Sequence, residues 1–272
     1  ITSGAAVTLP ATDEDSASSA TDVSTILAAA SWADADASPL GGIAITSVSG
    51  AGAWQFSTGG AWTSFGAVSA TGALLLPSAA QVRYVGGGLT AETATFAWRA
   101  WDRTSGAASA SGSPAYANPG SGGGSSAYSS QSATASMVVT AVNDAPVLSG
   151  VANLSAIDED AIQNPGTPVA TLVAGRISDA EGTNGLGIAI TGIDSTNGSW
   201  QFTMGPGTTW QTLSAASDAS ALLLAADGGA AIRFVPASNW NGTVAAGLTI
   251  RAWDGTSGKA GSTANTSTNG GS

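Results

Sequence analysis

The chain repeats itself once along most of its 272 residues, and this repeat limits its possible folds more than any other feature. The acidic run 13–15 recurs as 158–160, and the run 42–46 recurs as 187–191, both at an offset of 145. The preserved order and slow drift of the offset indicate two copies of one fold that differ by small loop insertions. Further matching pairs are 54–56 with 200–202, 73–76 with 221–224, 82–85 with 232–235, and 100–102 with 252–254.

Both copies carry the alternation that is typical of β-strands. Phe96, Trp98 and Ala100 share one face of their segment, and 248–252 alternates in the same way. The segment Ile26–Ala30 is alanine-rich but short, so it gives little evidence for a helix. The sequence therefore predicts an all-β protein. Turn pairs that separate the predicted strands are Gly59-Gly60, Asn197-Gly198, Asp227-Gly228 and Asn241-Gly242.

Several short strands per copy predict two tandem β-sandwiches of Greek-key type, over residues 1–145 and 146–272. In the first copy, a Gly/Ser-rich surface loop over 105–132 is expected before the last strand, 134–142. The second copy has no segment that matches 133–139, so we expect a sandwich that lacks its last strand. Two explanations remain open: the domain is truncated at its C-terminal end, or another chain supplies the strand.

Composition argues against most enzymes and several classes of partner. The chain has no histidine and no cysteine, which removes the commonest general base and the thiolate nucleophile. Its net charge is −11, which disfavours nucleic acid and anionic membrane surfaces. There is no apolar run long enough for a membrane-spanning helix. We therefore expect a non-enzymatic protein with neither a membrane span nor a nucleic-acid partner.

The few acidic residues are clustered. Charged residues make up 9% of the chain, and the seven Lys and Arg residues cannot neutralise all 18 carboxylates. Crowded carboxylates repel one another, whereas calcium binds six to eight oxygen ligands of this kind. The clustering therefore predicts Ca²⁺ binding. The clustered acids are Asp13, Glu14, Asp15, Asp34, Asp36, Asp102, Asp144, Asp158, Glu159, Asp160, Asp179, Glu181 and Asp254.

Several of these segments resemble a known family. The stretch Val142–Leu148, with Asn143-Asp144-Ala145-Pro146 inside it, is similar to the linker between cadherin-like domains. The stretches 33–36 and 178–181 resemble the family's Asp-x-Asp calcium motif, and 100–102 resembles the Ala-x-Asp that ends a late strand. Together they resemble bacterial cadherin-like tandem repeats of large secreted adhesins, of the VCBS/RTX-adhesin type.

The resemblance implies a cadherin-like or immunoglobulin-like sandwich and calcium at the junctions between domains. It assigns Asp34 and Asp36 to a junction with a preceding domain, and Glu159 and Asp254 to one with a following domain. The linker has Ala145 where a second Asn is common, so fewer ions per junction are expected. For the complete junction the implied ligands are Glu14, Asp102, Asn143, Asp144, Asp179 and Glu181.

The implied function is that of a structural, adhesive repeat segment of an extracellular or cell-surface bacterial protein or fibre. Its expected partners are neighbouring repeats of the same protein and other copies in a fibre. One alternative is a self-assembling filament subunit that is completed by strand exchange. Another is an accessory module that binds a carbohydrate or another cell-surface ligand. Candidate sugar-stacking residues are Trp54, Trp62, Trp98, Trp101, Trp200, Trp210 and Trp253.

Overall fold

The computed structural model describes residues 1–35, 40–150, 152–182 and 185–268. The chain is mostly β-sheet, with 39% of residues in strands and 5% in helices. The prediction of an all-β protein is therefore confirmed. The chain forms two compact units, Ile1–Val142 and Asn143–Ser272.

In its described residues, the first unit has two sheets and one short helix, α1 (Val23–Ala29). In chain order its strands are β1 (Ala6–Thr8), β2 (Thr12–Asp13), β3 (Thr21–Asp22), β4 (Gly42–Ser49), β5 (Ala53–Ser57), β6 (Thr63–Ser64), β7 (Ala73–Pro77), β8 (Gln81–Val85), β9 (Glu92–Trp101), β10 (Tyr116–Ala117) and β11 (Ala133–Thr140).

The two sheets of the first unit pack around one apolar core in a sandwich-like arrangement. The larger sheet has the order β1-β11-β9-β4-β7-β10, with β2 also paired to β11, and the smaller has the order β3-β8-β5-β6. Both sheets contribute fully buried side chains, such as Phe96 from β9 and Phe56 from β5. Alternation along each strand places these side chains on the inner faces, as period two requires.

The described part of the second unit contains the short helix α2 (Val169–Val173) and three sheets. The sheets have the orders β13-β19-β16-β17, β20-β15-β18-β21 and β12-β14. Its strands are β12 (Val147–Leu148), β13 (Thr167–Pro168), β14 (Ile177–Ser178), β15 (Gly187–Ile193), β16 (Gly198–Thr203), β17 (Gln211–Leu213), β18 (Ala221–Ala225), β19 (Ala231–Pro236), β20 (Leu248–Trp253) and β21 (Thr263–Ala264).

The internal repeat is reproduced in strand pairing and register. In the first unit Gly42 of β4 lies opposite Trp101 of β9, and the register shifts after Ile45. In the second unit Gly187 of β15 lies opposite Trp253 of β20, and the register shifts after Ile190. The same irregularity at the same place in both copies means that β9 and β20 occupy equivalent positions.

Helix α1 includes most of the alanine-rich segment 26–30, where sequence evidence for a helix was weak. Val23, Ile26 and Leu27 are buried, and their spacing of three and four residues places them on one helical face. Helix α2 repeats the arrangement, with Val169, Leu172 and Val173 buried. Both helices have so few residues that burial in the core, rather than intrinsic propensity, stabilises them.

The segment 105–132 is not merely a surface loop, and this part of the prediction is corrected. It contains β10, which pairs with β7, and its Ala127 and Tyr128 are buried. These residues pack against Leu75 and Trp101 on the outer face of the larger sheet. Strand β7 is therefore buried on both faces, which explains its continuous run of leucines.

The equivalent core positions Phe96 and Leu248 differ in burial and allow a matched test. Phe96 is fully buried, whereas Leu248 is half-buried. We expect Phe96→Ala to lower the free energy of unfolding of the first unit by about 3–5 kcal/mol, because it leaves a cavity. Leu248→Ala should cost the second unit less than half of that. Calorimetric unfolding of both variants measures the difference, and equal losses would contradict it.

Candidate functional site

Five oxygen-bearing residues of the second unit form a connected acidic cluster beside its first residues. The Asn143 amide donates to Oδ2 of Asp254 at 2.8 Å, and the Asp144 backbone N–H donates to Oε2 of Glu181 at 3.0 Å. The Glu181 backbone N–H in turn donates to Oδ1 of Asp179 at 2.9 Å. A carboxylate oxygen of Asp144 lies within 4.8 Å of one of Glu181. We call Asn143, Asp144, Asp179, Glu181 and Asp254 the acidic cluster.

Strand pairing explains why Asp254 belongs to this cluster. Trp253, the last residue of β20, lies opposite Gly187, the first residue of β15. Because the strands are antiparallel, the residue after β20 emerges beside the segment that precedes β15, where Asp179 and Glu181 lie. The sequence had grouped Asp254 with Glu159 for a different junction. That grouping is corrected, since Asp254 is hydrogen-bonded to Asn143.

The carboxylates of the cluster perturb one another's protonation. Burial raises the pKa of Asp179 above its usual value of 3.8, and repulsion from Glu181 and Asp254 raises it further. The hydrogen bond from the Glu181 backbone N–H lowers this pKa but does not cancel the increase. Burial also acts to raise the pKa of Asp254, but hydrogen bonds from Asn143 and Thr256 outweigh it and lower the pKa. The two neighbouring carboxyl groups therefore have pKa values shifted in opposite directions.

Two oxygens of the cluster are buried without a hydrogen-bond partner in the described part of the chain. They are Oδ2 of Asp144 and Oδ2 of Asp179. An unsatisfied buried carboxylate oxygen is costly, and a cation is one group that can satisfy it. The donor set consists of carboxylates and one amide, all with oxygen atoms, which suits a hard cation such as calcium. The residue types present are those that calcium prefers, and calcium binding stays a prediction.

In the first unit, Glu14 is held firmly by its surroundings. Its side chain is 1% exposed, and Oε1 accepts a hydrogen bond from the Val142 backbone N–H at 2.8 Å. Its own backbone N–H donates to the Thr140 carbonyl at 3.0 Å, which anchors the end of β2 to β11. Oε2 of Glu14 and Oδ1 of Asp13 are buried without a hydrogen-bond partner among the described residues.

The other predicted ligands of the first unit, Asp102, Asp34 and Asp36, belong to other segments of the chain. Asp102 follows β9, and its Oδ1 accepts hydrogen bonds from the Thr104 N–H at 2.8 Å and hydroxyl at 2.7 Å. Asp34 lies half-buried between α1 and β4. Asp36 lies outside the described residues.

Glu159, the counterpart of Glu14, is exposed. It accepts a long hydrogen bond of 3.4 Å from the Asn241 amide. The difference has a clear cause, since Glu14 is positioned by β11 and the described part of the second unit has no strand equivalent to β11. Glu159 therefore does not join the acidic cluster.

One local element of the site was overlooked in the sequence. The Asp254 Oδ1 accepts from both the N–H and the hydroxyl of Thr256, at 2.9 and 2.8 Å, as Asp102 does from Thr104. This turn fixes one carboxylate oxygen and leaves the other to face the cluster. The Asp-x-Thr spacing, present in both copies, was the available signal.

The tryptophans are used mainly for packing. Trp54, Trp98, Trp101 and Trp200 are at most 4% exposed. Trp62 and Trp210 lie under arginines, with the Arg83 and Arg233 guanidinium carbons each 4.3 Å from the ring centroid below. Buried or covered rings cannot stack on a sugar, so these positions favour the packing interpretation.

No protein-family model and no curated protein matches this chain. Within the described residues, no helix is both long and apolar enough to cross a membrane. The acidic cluster must therefore be interpreted from its own chemistry.

Burial of the Asp179 carboxylate, together with repulsion from Glu181 and Asp254, predicts that Asp179→Asn stabilises the second unit in the presence of a chelator. The pKa of Asp179 is higher in the folded than in the unfolded state, so the stability that its protonated form supplies is lost as the pH rises through the folded pKa. The advantage of the variant should therefore grow as the pH rises above the unfolded pKa of 3.8.

Urea unfolding at several pH values measures this effect, and Asp218→Asn is the matched control. Asp218 pairs with Arg251 at 3.0 Å outside the cluster, so its loss should be neutral or slightly destabilising. A destabilised Asp179→Asn variant at neutral pH would contradict the predicted repulsion.

Proposed function

We propose that this chain is a structural, adhesive repeat segment of an extracellular bacterial surface protein or fibre, and that calcium stabilises it. The observation that carries the proposal is the acidic cluster, in which hydrogen bonds connect residues that carry four carboxylates and one amide. Two of its buried oxygens lack a hydrogen-bond partner among the described residues. Asn143 and Asp144 belong to the segment that resembles a cadherin-like linker. The proposed role is mechanical rather than catalytic.

Asp144, Asp179, Glu181 and Asp254 would hold the ion, with Asn143 orienting Asp254. The ion would neutralise like charges that otherwise oppose folding, and its binding free energy would add to the stability of the second unit. Because two of the five residues belong to the linker, a bound ion would also fix the linker backbone against the second unit. A segment that is stiff in calcium and looser without it suits a protein that must transmit force.

Two finer features belong to the same proposal. Each unit is taken to be a cadherin-like sandwich of Greek-key type, which the non-sequential strand orders support. An extracellular location belongs to the proposal because residues 142–148 resemble the linker of secreted adhesins. Calcium sites of extracellular modules fill at the calcium concentrations found outside cells.

Calorimetric unfolding in excess calcium and in excess chelator tests the proposal. We expect calcium to raise the melting temperature of the second unit by about 10 °C, which corresponds to a concentration some 100 times Kd. Sodium at matched ionic strength should produce no comparable shift.

Variants separate a specific site from general charge screening. Asp254→Asn should lose most of the calcium-dependent shift, because it removes one ligand and one charge. Asp218→Asn should keep the full shift, since Asp218 is paired with Arg251 away from the cluster. An absent calcium shift, or an equal loss in both variants, would overturn calcium binding at the acidic cluster.

A further inference from the structure

The connection between β19 and β20 carries an exposed Asn-Gly pair, Asn241-Gly242. Both residues are exposed and lie outside any strand or helix. The matching connection of the first unit, between β8 and β9, is also open to solvent, since its Leu89 is 60% exposed. Exposure at this position is therefore a property that both copies share.

The Asn241 side chain and the Gly242 backbone nitrogen are weakly held. The amide of Asn241 donates one long hydrogen bond, of 3.4 Å, to Oε2 of Glu159. Among the described residues, the Gly242 N–H has no hydrogen-bond acceptor. Glycine has no Cβ, so Gly242 neither shields its own nitrogen nor restricts the rotation of its backbone. The local structure therefore leaves an amide carbonyl carbon and the next backbone nitrogen free to meet.

We propose that Asn241 is a site of spontaneous deamidation, which converts it to aspartate or isoaspartate without an enzyme. The Gly242 backbone nitrogen attacks Cγ of Asn241, and its proton passes through solvent to Nδ2. The bond from Cγ to Nδ2 breaks, ammonia leaves, and a five-membered succinimide ring forms. A water molecule then opens the ring at either carbonyl. Each event consumes one water, releases one ammonia and changes no oxidation state.

A second Asn-Gly pair of the same unit, Asn197-Gly198, is firmly held and serves as an internal comparison. Gly198 is the first residue of β16 and is paired with β19. The Asn197 carbonyl accepts a hydrogen bond from the Ala237 N–H at 2.9 Å. A Cβ on Gly198 would collide with the Phe234 ring and the Val235 carbonyl, so the strand leaves little room for rotation. Ring closure at Asn197 therefore requires local opening of β16 from β19, which costs free energy.

Deamidation reverses the interaction between position 241 and Glu159. The amide that donates to Glu159 is replaced by a carboxylate, and the two like charges repel. The connection is anchored to the core of the second unit by Trp240 and Val244, which flank the modified pair. The chain, whose net charge is −11, gains one negative charge per event. We therefore expect conversion to loosen the connection between its two apolar anchors.

Incubation of the whole chain at neutral pH and physiological temperature, in excess chelator, tests the proposal. Trypsin places the two pairs in different peptides, 177–233 and 234–251, which tandem mass spectrometry identifies. In the folded chain we expect conversion at Asn241 to be at least about tenfold faster than at Asn197. In urea the two rates should become similar, because neither pair is then restrained by the fold. A difference that persists in urea would overturn the structural explanation.

The variant Asn241→Gln is the matched control for the site. It keeps the amide and the charge, but it would have to close a six-membered ring, which forms far more slowly. The mass increase of peptide 234–251 should therefore disappear, although this peptide still contains Asn239. A mass increase that persists in the variant would place the reaction at Asn239 and overturn the proposal. Equal rates at Asn241 and Asn197 in the folded chain would overturn it as well.

Hydrogen exchange tests the structural consequence. Backbone amides of residues 237–247 should exchange faster in an Asn241→Asp chain than in the Asn241→Gln chain, since only the first places a carboxylate opposite Glu159. Equal exchange in the two chains would overturn the expected loosening. These outcomes are independent of calcium binding at the acidic cluster, because the reaction needs no metal ion.

Discussion

The rest of the structure depends on one antiparallel strand pair, present as β4 with β9 and again as β15 with β20. Its register and its single irregularity are the same in both units. The pair carries the central apolar residues on its inner face and ends beside an aspartate, Asp102 or Asp254. The core and the acidic chemistry of each unit are therefore positioned by the same backbone hydrogen bonds.

The strand next to this pair decides how completely each unit is closed. In the first unit β11 covers Phe96 and Trp98 and also pairs with β2. This pairing positions Glu14, which follows β2 and is buried. Among the described residues of the second unit, no strand occupies the equivalent position, and Glu159 is exposed. The presence of β11 in the first unit thus explains two differences between the units. Phe96 and Trp98 are more buried than their counterparts, and Glu14 is buried whereas Glu159 is exposed.

The acidic cluster shows how a chain with few charges can still gather carboxylates in one place. They belong to the linker and to segments that follow two strands, and burial together with repulsion raises the pKa of Asp179. A divalent cation would convert this repulsion into attraction and link the backbone of Asn143 and Asp144 to the second unit. Under the proposed function, the same ion supplies both folding stability and stiffness at the linker.

The sequence by itself determined the all-β class, the repeat and which residue types gather, because period-two alternation and matched motifs are local properties of the chain. Residues such as Asp179 and Glu181 could be proposed as one group because they are two positions apart. Only the tertiary structure decided that Asp254 joins them and Glu159 does not, since strand pairing brings distant residues together. It also decided that α1 is a helix and that 105–132 covers a sheet, because burial, rather than local propensity, stabilises both.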